Sequence, residues 1–288
     1  MLSGATKVMT CPWTRLPRSD LASGDLYSPY CYPFAMRRAL THHLAAALVA
    51  TCLCSLVSIV TSATASAVAN ISGMAVFLDP GHSGANDSSI TRQVTNGRGG
   101  TKPCETTGTS TGDGYPEHAF TWDVVMRVRE QLNQLGVRTQ ISRDNDTSLG
   151  PCIDQRAAAA NAMRPDAIVS IHADGGPASG QGFHVNYSSP PLNDAQTGPA
   201  MQLATIMRDS LVAAGLTKST YIGSDGLYGR ADLAGLNLAQ YPAILVELGN
   251  MKNADEAAAM ESTDGRARYA TAVTQGIVAY LSTKAPAS

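Results

Sequence analysis

The chain has 288 residues, 44% of them hydrophobic and 15% charged, with 21 Lys and Arg against 23 Asp and Glu. That length allows one large domain or two ordinary ones. Five of the basic and only two of the acidic residues precede Val68, so the remainder carries an excess of five acids and no basic run, which argues against nucleic acid as a partner.

Residues 1–35 hold Pro12, Pro17, Pro29 and Pro33 without a sustained hydrophobic period. They read as a leader extension or as a start placed too early, with Met36 as the alternative start. Met36-Arg37-Arg38 opens a basic stretch, an apolar run follows from Leu44 to Val60, and Ala65-Ser66-Ala67 supplies small residues for cleavage. This three-part layout predicts a secretory signal peptide over 36–67 and export of residues 68–288 to the periplasm or cell wall. An uncleaved anchor is the alternative, since the apolar run is close to the shortest that spans a bilayer. A lipid attached to Cys52 is disfavoured by Thr51 in front of it, where a small residue is expected. No stable membrane domain is expected after cleavage. Beyond Val68 there is no internal repeat, low-complexity tail or change of composition, so 68–288 is expected to be a single, monomeric domain.

Of six cysteines, only Cys104 and Cys152 lie beyond the expected signal peptide. An even pair in an exported protein predicts a disulfide, which would remove on the order of 4 kcal/mol of denatured-state entropy and hold a loop. Two thiolates in a metal site are the alternative, weakened by the lack of a local C-x-x-C pair.

The first strand is predicted at Ala75-Val76-Phe77-Leu78, running into Asp79-Pro80-Gly81-His82. A polar stretch from Ser83 to Tyr115, rich in Gly, Thr, Ser and Asn, is long enough to be functional, and a two-stranded excursion within it is left open. Pro116 and Glu117 open a helix with Phe120, Val124, Val125, Val128, Leu132 and Leu135 at helical spacing, stopped by Gly136. Val137 to Ser142 reads as a strand, Asp154 to Met163 as an Ala-rich helix, and Ala167 to Asp174 as a buried strand carrying His172. Gly182 to Tyr187 alternates like a strand, Pro199 to Ala214 is helical, Ser219 to Ile222 is a candidate short strand, and Leu233 to Ala239 is weakly helical. A third buried strand, Ala243-Ile244-Leu245-Val246-Glu247-Leu248-Gly249-Asn250, precedes helices at Ala254 to Glu261 and Gly265 to Thr283. The alternation predicts an α/β domain: a mostly parallel, twisted sheet of about six strands with helices on both faces. The three apolar runs ending at His82, His172 and Glu247 read as strands buried on both faces.

Carboxyl ends of parallel strands share one edge, where ligands bind. His82 and His172 are therefore candidate metal ligands, and Glu117, in the first turn of a helix that begins at the same edge, is the candidate third. His118 is a competing ligand, but it points about 100° away from Glu117. Glu247 lies among apolar neighbours, where a carboxylate needs a partner. A cation or an activated water would make it a general base, and an ion pair with Arg143 or Arg230 is the structural alternative. His184 is expected to be structural or substrate-facing. Arg92, Arg98 and Lys102 are candidates for gripping substrate, with solvated loop charges as the plainer possibility.

Asp79-Pro80-Gly81-His82, Glu117 opening a long helix, Arg156 to Asn161 leading into Ser170-Ile171-His172-Ala173, and Pro242 to Glu247 followed by Asn253 resemble the zinc-dependent N-acetylmuramoyl-L-alanine amidases, the amidase_3 family. The likeness runs in order from about Ala75 to Leu281. It implies a hydrolase-like α/β fold, one zinc ion held by His82, Glu117 and His172, and Glu247 as catalytic glutamate working on a zinc-activated water. It also implies peptidoglycan or muropeptide as substrate, cut between N-acetylmuramic acid and L-alanine in wall turnover or cell separation. A catalytically inactive muropeptide-binding domain and a zinc peptidase acting on stem-peptide bonds are the alternatives. No appended wall-binding domain is visible, so the stretch from Ser83 to Tyr115 is the candidate rim of the site. An inhibitory helix between His172 and Glu247 is not expected.

Overall fold

The computed structural model describes residues 70–285, so the expected leader and signal peptide lie outside the described residues. A six-stranded sheet organises them in the order β4-β1-β5-β8-β6-β7. Its parallel half joins β1 (Ala75–Pro80), β4 (Arg138–Ile141), β5 (Ala167–Asp174) and β8 (Ala243–Asn250). Strand β6 (His184–Ser188) then runs antiparallel to β8, and β7 (Leu227–Arg230) runs parallel to β6.

One face is sealed by α1 (Glu117–Gln134), α4 (Pro199–Ala213) and α7 (Thr263–Ser282). The stripe of Phe120, Val124, Val128 and Leu132 on α1 is fully buried and packs with Val76, Leu78, Val169 and Ile171 of the sheet. Each such side chain contributes about 1.5–3 kcal/mol by leaving water, so this face supplies most of the core. Ser262 caps α7 by accepting from the amide of Gly265. Asn253 caps α6 (Ala254–Glu261) by accepting from Asp255 and Glu256, and a one-turn helix, α3 (Asp194–Thr197), leads into α4.

The opposite face carries only α2 (Ile153–Met163) and the short α5 (Ala234–Leu238), over a smaller core of Phe77, Ala160, Ile168, Leu236 and Ala243. The apolar runs of the three central strands are thus buried on both sides, as expected, but the cover thins toward their carboxyl ends. Asp79, His172, Leu245 and Glu247 all lie on this face and are only half-buried. Two short helices cannot roof a sheet of this width, and a cleft remains.

Two further details depart from the sequence reading. Ser219 to Ile222 is not a strand. The edge partner of β6 is instead Leu227–Arg230, while Ser219 and Thr220 only donate backbone hydrogen bonds to Phe183 and Gln181. Within the polar stretch, β2 (Gln93–Thr95) and β3 (Thr101–Pro103) form the two-stranded excursion left open above. A 3-10 turn at Ser88–Thr91 precedes it, and the Cys104–Cys152 disulfide closes it onto the start of α2.

Candidate metal centre

At the carboxyl edge of the parallel strands, His82, Glu117 and His172 each present one ligand atom, all within 4.8 Å of one another. Three different elements deliver them, so the chain's alternation of strand and helix is what creates the cluster. His82 follows β1 in a left-handed backbone conformation, φ 64°, which a non-glycine residue keeps only when its surroundings over-determine it. Those surroundings are visible. Buried Arg156, from α2, donates to the carbonyls of Pro80 at 3.0 Å and His82 at 2.8 Å and pairs with Asp79 and Glu105, each at 3.0 Å.

Asp79 accepts from Ser142 at 2.5 Å and Ser170 at 2.7 Å. Burial alone would raise its pKa, but Arg156 and the two hydroxyls hold it down to about 2. The turn also needs glycine at position 81, because a Cβ there would lie 2.3 Å from the His172 ring.

His82 Nδ1 faces the carbonyl of Thr106 at 2.9 Å, which aims Nε2 at Glu117 Oε1, 3.1 Å away. His172 Nδ1 approaches the same Oε1 at 3.0 Å, and the two rings stand edge to face at 4.9 Å. Glu117 is oriented by two backbone amides: Ala173 donates to Oε1 at 3.1 Å and Thr109 to Oε2 at 2.9 Å. Gly108, at φ +76°, lets the strap carrying Thr109 pass beneath the cluster; a Cβ there would meet Glu117 Oε2 and His82 Cδ2 at 2.9 Å.

Burial disfavours ionisation of Glu117, yet contacts from His172 and then His82 hold its carboxyl below the usual range. Burial likewise opposes a charge on His82, but Glu117 pushes its pKa up to about 9. Two imidazoles converging on one carboxylate oxygen need positive charge between them. A proton on a ring and a divalent cation are alternative ways to provide it. Two nitrogens and one carboxylate oxygen form a donor set suited to zinc, with a remaining position for a small ligand. The residues fit such an ion.

Glu247 lies on β8 directly opposite His172 in the parallel register. Its Oε2 is buried without a hydrogen-bond partner in the protein. Burial, reinforced by the charges of Glu117 and Asp174 and only partly offset by Arg230, raises its pKa well above the carboxylate range. The two arginines weighed as structural partners are engaged elsewhere, Arg143 with Asp146 at 2.8 Å and Arg230 with Asp232 at 2.6 Å. His118 turns to Asp146 at 2.9 Å and stays out of the cluster.

The three ligand candidates and Glu247 line one cavity of about 500 Å³ that continues between α2 and α5. Lys102 and the segment Glu105 to Thr109 form its rim, as the position of the polar stretch suggests. Arg98 and Lys102 each have partners within the protein. Arg98 donates to Asn237, Ser188 and Pro190, and Lys102 to the Asp232 carbonyl, tying the hairpin to the α5 side. Arg92 donates to Cys152 Sγ at 2.7 Å. Of the elements between His172 and Glu247, the segment Leu233 to Leu236 supplies a wall of the cavity. Sequence reasoning placed the rim in this stretch but missed its two specific partners, Glu105 for Arg156 and the Thr109 amide for Glu117.

The family model for N-acetylmuramoyl-L-alanine amidases of the Amidase_3 type matches residues 76–279. The N-acetylmuramoyl-L-alanine amidase Rv3717 of Mycobacterium tuberculosis is 65% identical over 229 residues, covering 80% of this chain and 95% of that protein. Among solved structures, the N-acetylmuramyl-L-alanine amidase Ami1 of Mycobacterium smegmatis aligns with a TM-score of 0.74 at 63% identity, over 75% of this chain and 100% of that one. The apo form of Ami1 from Mycobacterium abscessus aligns with a TM-score of 0.72 at 66% identity, over 73% and 99%. With its fold, its His-Glu-His cluster and these likenesses, the chain belongs to the Amidase_3 family of N-acetylmuramoyl-L-alanine amidases.

Proposed function

We propose that this chain is an exported, zinc-dependent peptidoglycan hydrolase that cleaves the amide between N-acetylmuramic acid and the L-alanine of the stem peptide, in wall turnover or cell separation. The observation that carries this is the convergence of His82, Glu117 and His172 beside Glu247 in a chain 65% identical to a named amidase. His82, Glu117 and His172 would hold one zinc ion. When bound, zinc supplies Lewis acidity, polarising a carbonyl and acidifying a water.

The chain's own residues do the rest. Glu247, whose burial raises its proton affinity, takes a proton from the attacking water and returns it to the leaving nitrogen. The water oxygen bonds to the lactyl carbonyl carbon, the C–N bond breaks, and the products are a muramoyl carboxylate and a stem peptide with a free α-amine. Arg156, Asp79 and Glu105 keep the His82 turn in place, and the amides of Thr109 and Ala173 keep Glu117 aimed. Residues 36–67 would serve as the signal peptide, with 68–288 acting as a monomer outside the cytoplasm. No helix among the described residues is long and apolar enough to cross a membrane.

The test is to incubate the purified protein with intact muropeptides and read the products by mass spectrometry. Release of whole stem peptides beginning at L-alanine is expected. Loss of terminal stem residues would instead identify a peptidase, and absence of any product at saturating zinc would identify a binding domain.

A further inference from the structure

Seven buried side-chain atoms among the described residues lack a hydrogen-bond partner in the protein, and three of them belong to residues on one face of neighbouring strands: His184 Nδ1, Asn186 Oδ1 and Glu247 Oε2. Their adjacency follows from strand register. Strand β6 runs antiparallel to β8 with His184 opposite Glu247 and Asn186 opposite Leu245. Opposed residues project from the same face with Cβ atoms about 4.5–5.5 Å apart, and residues two apart on a strand share that face. His184 is 2% exposed and Asn186 0%.

No neighbouring protein group bonds to any of the three atoms. The Asn186 amide nitrogen donates to the Leu245 carbonyl at 3.2 Å, which leaves its oxygen unused. The His184 ring is walled by Tyr221 and Tyr228, edge-on at 6.4 and 6.1 Å, and the Tyr221 hydroxyl is committed to Asp174 at 2.9 Å. Arg230, whose charge acts on both His184 and Glu247, pairs with Asp232. Unpaired polar groups this deeply buried are rare, and clusters of them are normally bridged by ordered water.

The donors and acceptors suit such a bridge. Burial pushes the His184 pKa down to about 4, so the ring is neutral and offers one donor and one acceptor. Asn186 Oδ1 only accepts. A water between them can donate to an ionised carboxylate and accept from a protonated one, which is what a residue that alternately gains and loses a proton requires.

We propose that His184 and Asn186 are positioning residues for Glu247, holding its inner carboxylate oxygen through ordered water so that the other oxygen stays aimed into the cavity. The inference rests on Glu247 being the proton carrier of the proposed reaction. Partners of this kind, one step removed from the reacting groups, typically change activity about 10- to 100-fold when lost.

The experiment compares His184→Leu and Asn186→Leu with the conservative His184→Gln in the full protein, reading kcat, KM and bound zinc. It is paired with a high-resolution crystal structure of the unaltered protein. The leucine variants are expected to lower kcat by about 10- to 100-fold with KM and zinc content unchanged, and His184→Gln is expected to recover most of the loss. The crystal structure is expected to show water within hydrogen-bond distance of both His184 Nδ1 and Glu247 Oε2. Unchanged kcat in a folded leucine variant, a fall in kcat matched by loss of zinc, or a dry patch in the crystal would each overturn the proposal. Should the leucine variants not fold, His184→Gln and the crystal structure decide it. If the unaltered protein releases no stem peptide, the amidase reading fails by itself, while the water positions still judge this inference.

Discussion

Glu247→Gln removes the only proton-accepting oxygens at the position opposite His172 while keeping the side chain's length and shape. The structure separates the consequence for chemistry from the consequence for folding. Glu247 is not among the three atoms that face one another in the metal cluster, so zinc content should be unchanged. Loss of a positioned general base costs typically 10²- to 10⁴-fold in rate, or about 3–5.5 kcal/mol of barrier at about 1.4 kcal/mol per tenfold. Stability should move the other way. In the metal-free protein the folded pKa of Glu247 lies above its ordinary value of 4.5, through burial and the nearby Glu117 charge. The native state therefore binds the proton more tightly than the unfolded chain, and this group's contribution falls as pH rises from the unfolded pKa to the folded one. Glutamine abolishes that loss, so the metal-free variant should be at least as stable as the parent at neutral pH and less sensitive to pH above about 5. The assays are muropeptide turnover by mass spectrometry, zinc by atomic emission, and urea denaturation at several pH values. Turnover within threefold of the parent would refute the general-base role, and loss of zinc would move Glu247 into the metal cluster.

Other substitutions test the framework around it. Glu117→Ala should strip zinc from the protein while His118→Ala, whose ring is bonded to Asp146, should leave the metal content intact; the reverse would shift the ligand by one residue. Arg156→Met leaves Asp79 and Glu105 buried without their cation and should cost about 3–5 kcal/mol in urea denaturation. A cost near zero would mean that the network reorganises freely. Gly81→Ala, which places a methyl against the His172 ring, should weaken zinc binding by at least about tenfold, as read by chelator competition. Reducing the Cys104–Cys152 bond should lower stability by about 2–4 kcal/mol. It should also loosen the Glu105–Thr109 strap, seen as faster hydrogen exchange at Thr106 and Thr109, and unaltered exchange there would show that the strap is held without the bond.

Much of this arrangement was legible in the sequence, because local rules act on contiguous residues. Runs such as Ala243 to Val246 read as buried strands, the stripe from Phe120 to Leu132 reads as one helix face, and Asp79-Pro80-Gly81 marks a turn that presents His82. The parallel order of β1, β5 and β8 then follows from the helices between them, which is why His82, His172 and Glu247 could be placed at one edge before any coordinates. Strand β7 was not legible. Its four residues, Leu227 to Arg230, are all half-buried and interrupted by Gly229, so they alternate too weakly to stand out from the loop around them. The cleft left over the carboxyl ends of the strands was not legible either. Whether a strand face is covered depends on the length and placement of α2 and α5, not on the strand's own composition.

The sequence by itself determined which residues could do chemistry here and at which edge of the sheet they would meet. Tertiary structure decided their partners: Arg156 reaching back to the His82 turn, the Thr109 amide reaching Glu117, and the antiparallel reversal at β6 that sets His184 and Asn186 beside Glu247 and Leu245. Pairings between residues far apart in the chain depend on register and packing. Those are properties of the assembled core, and no short stretch of sequence carries them.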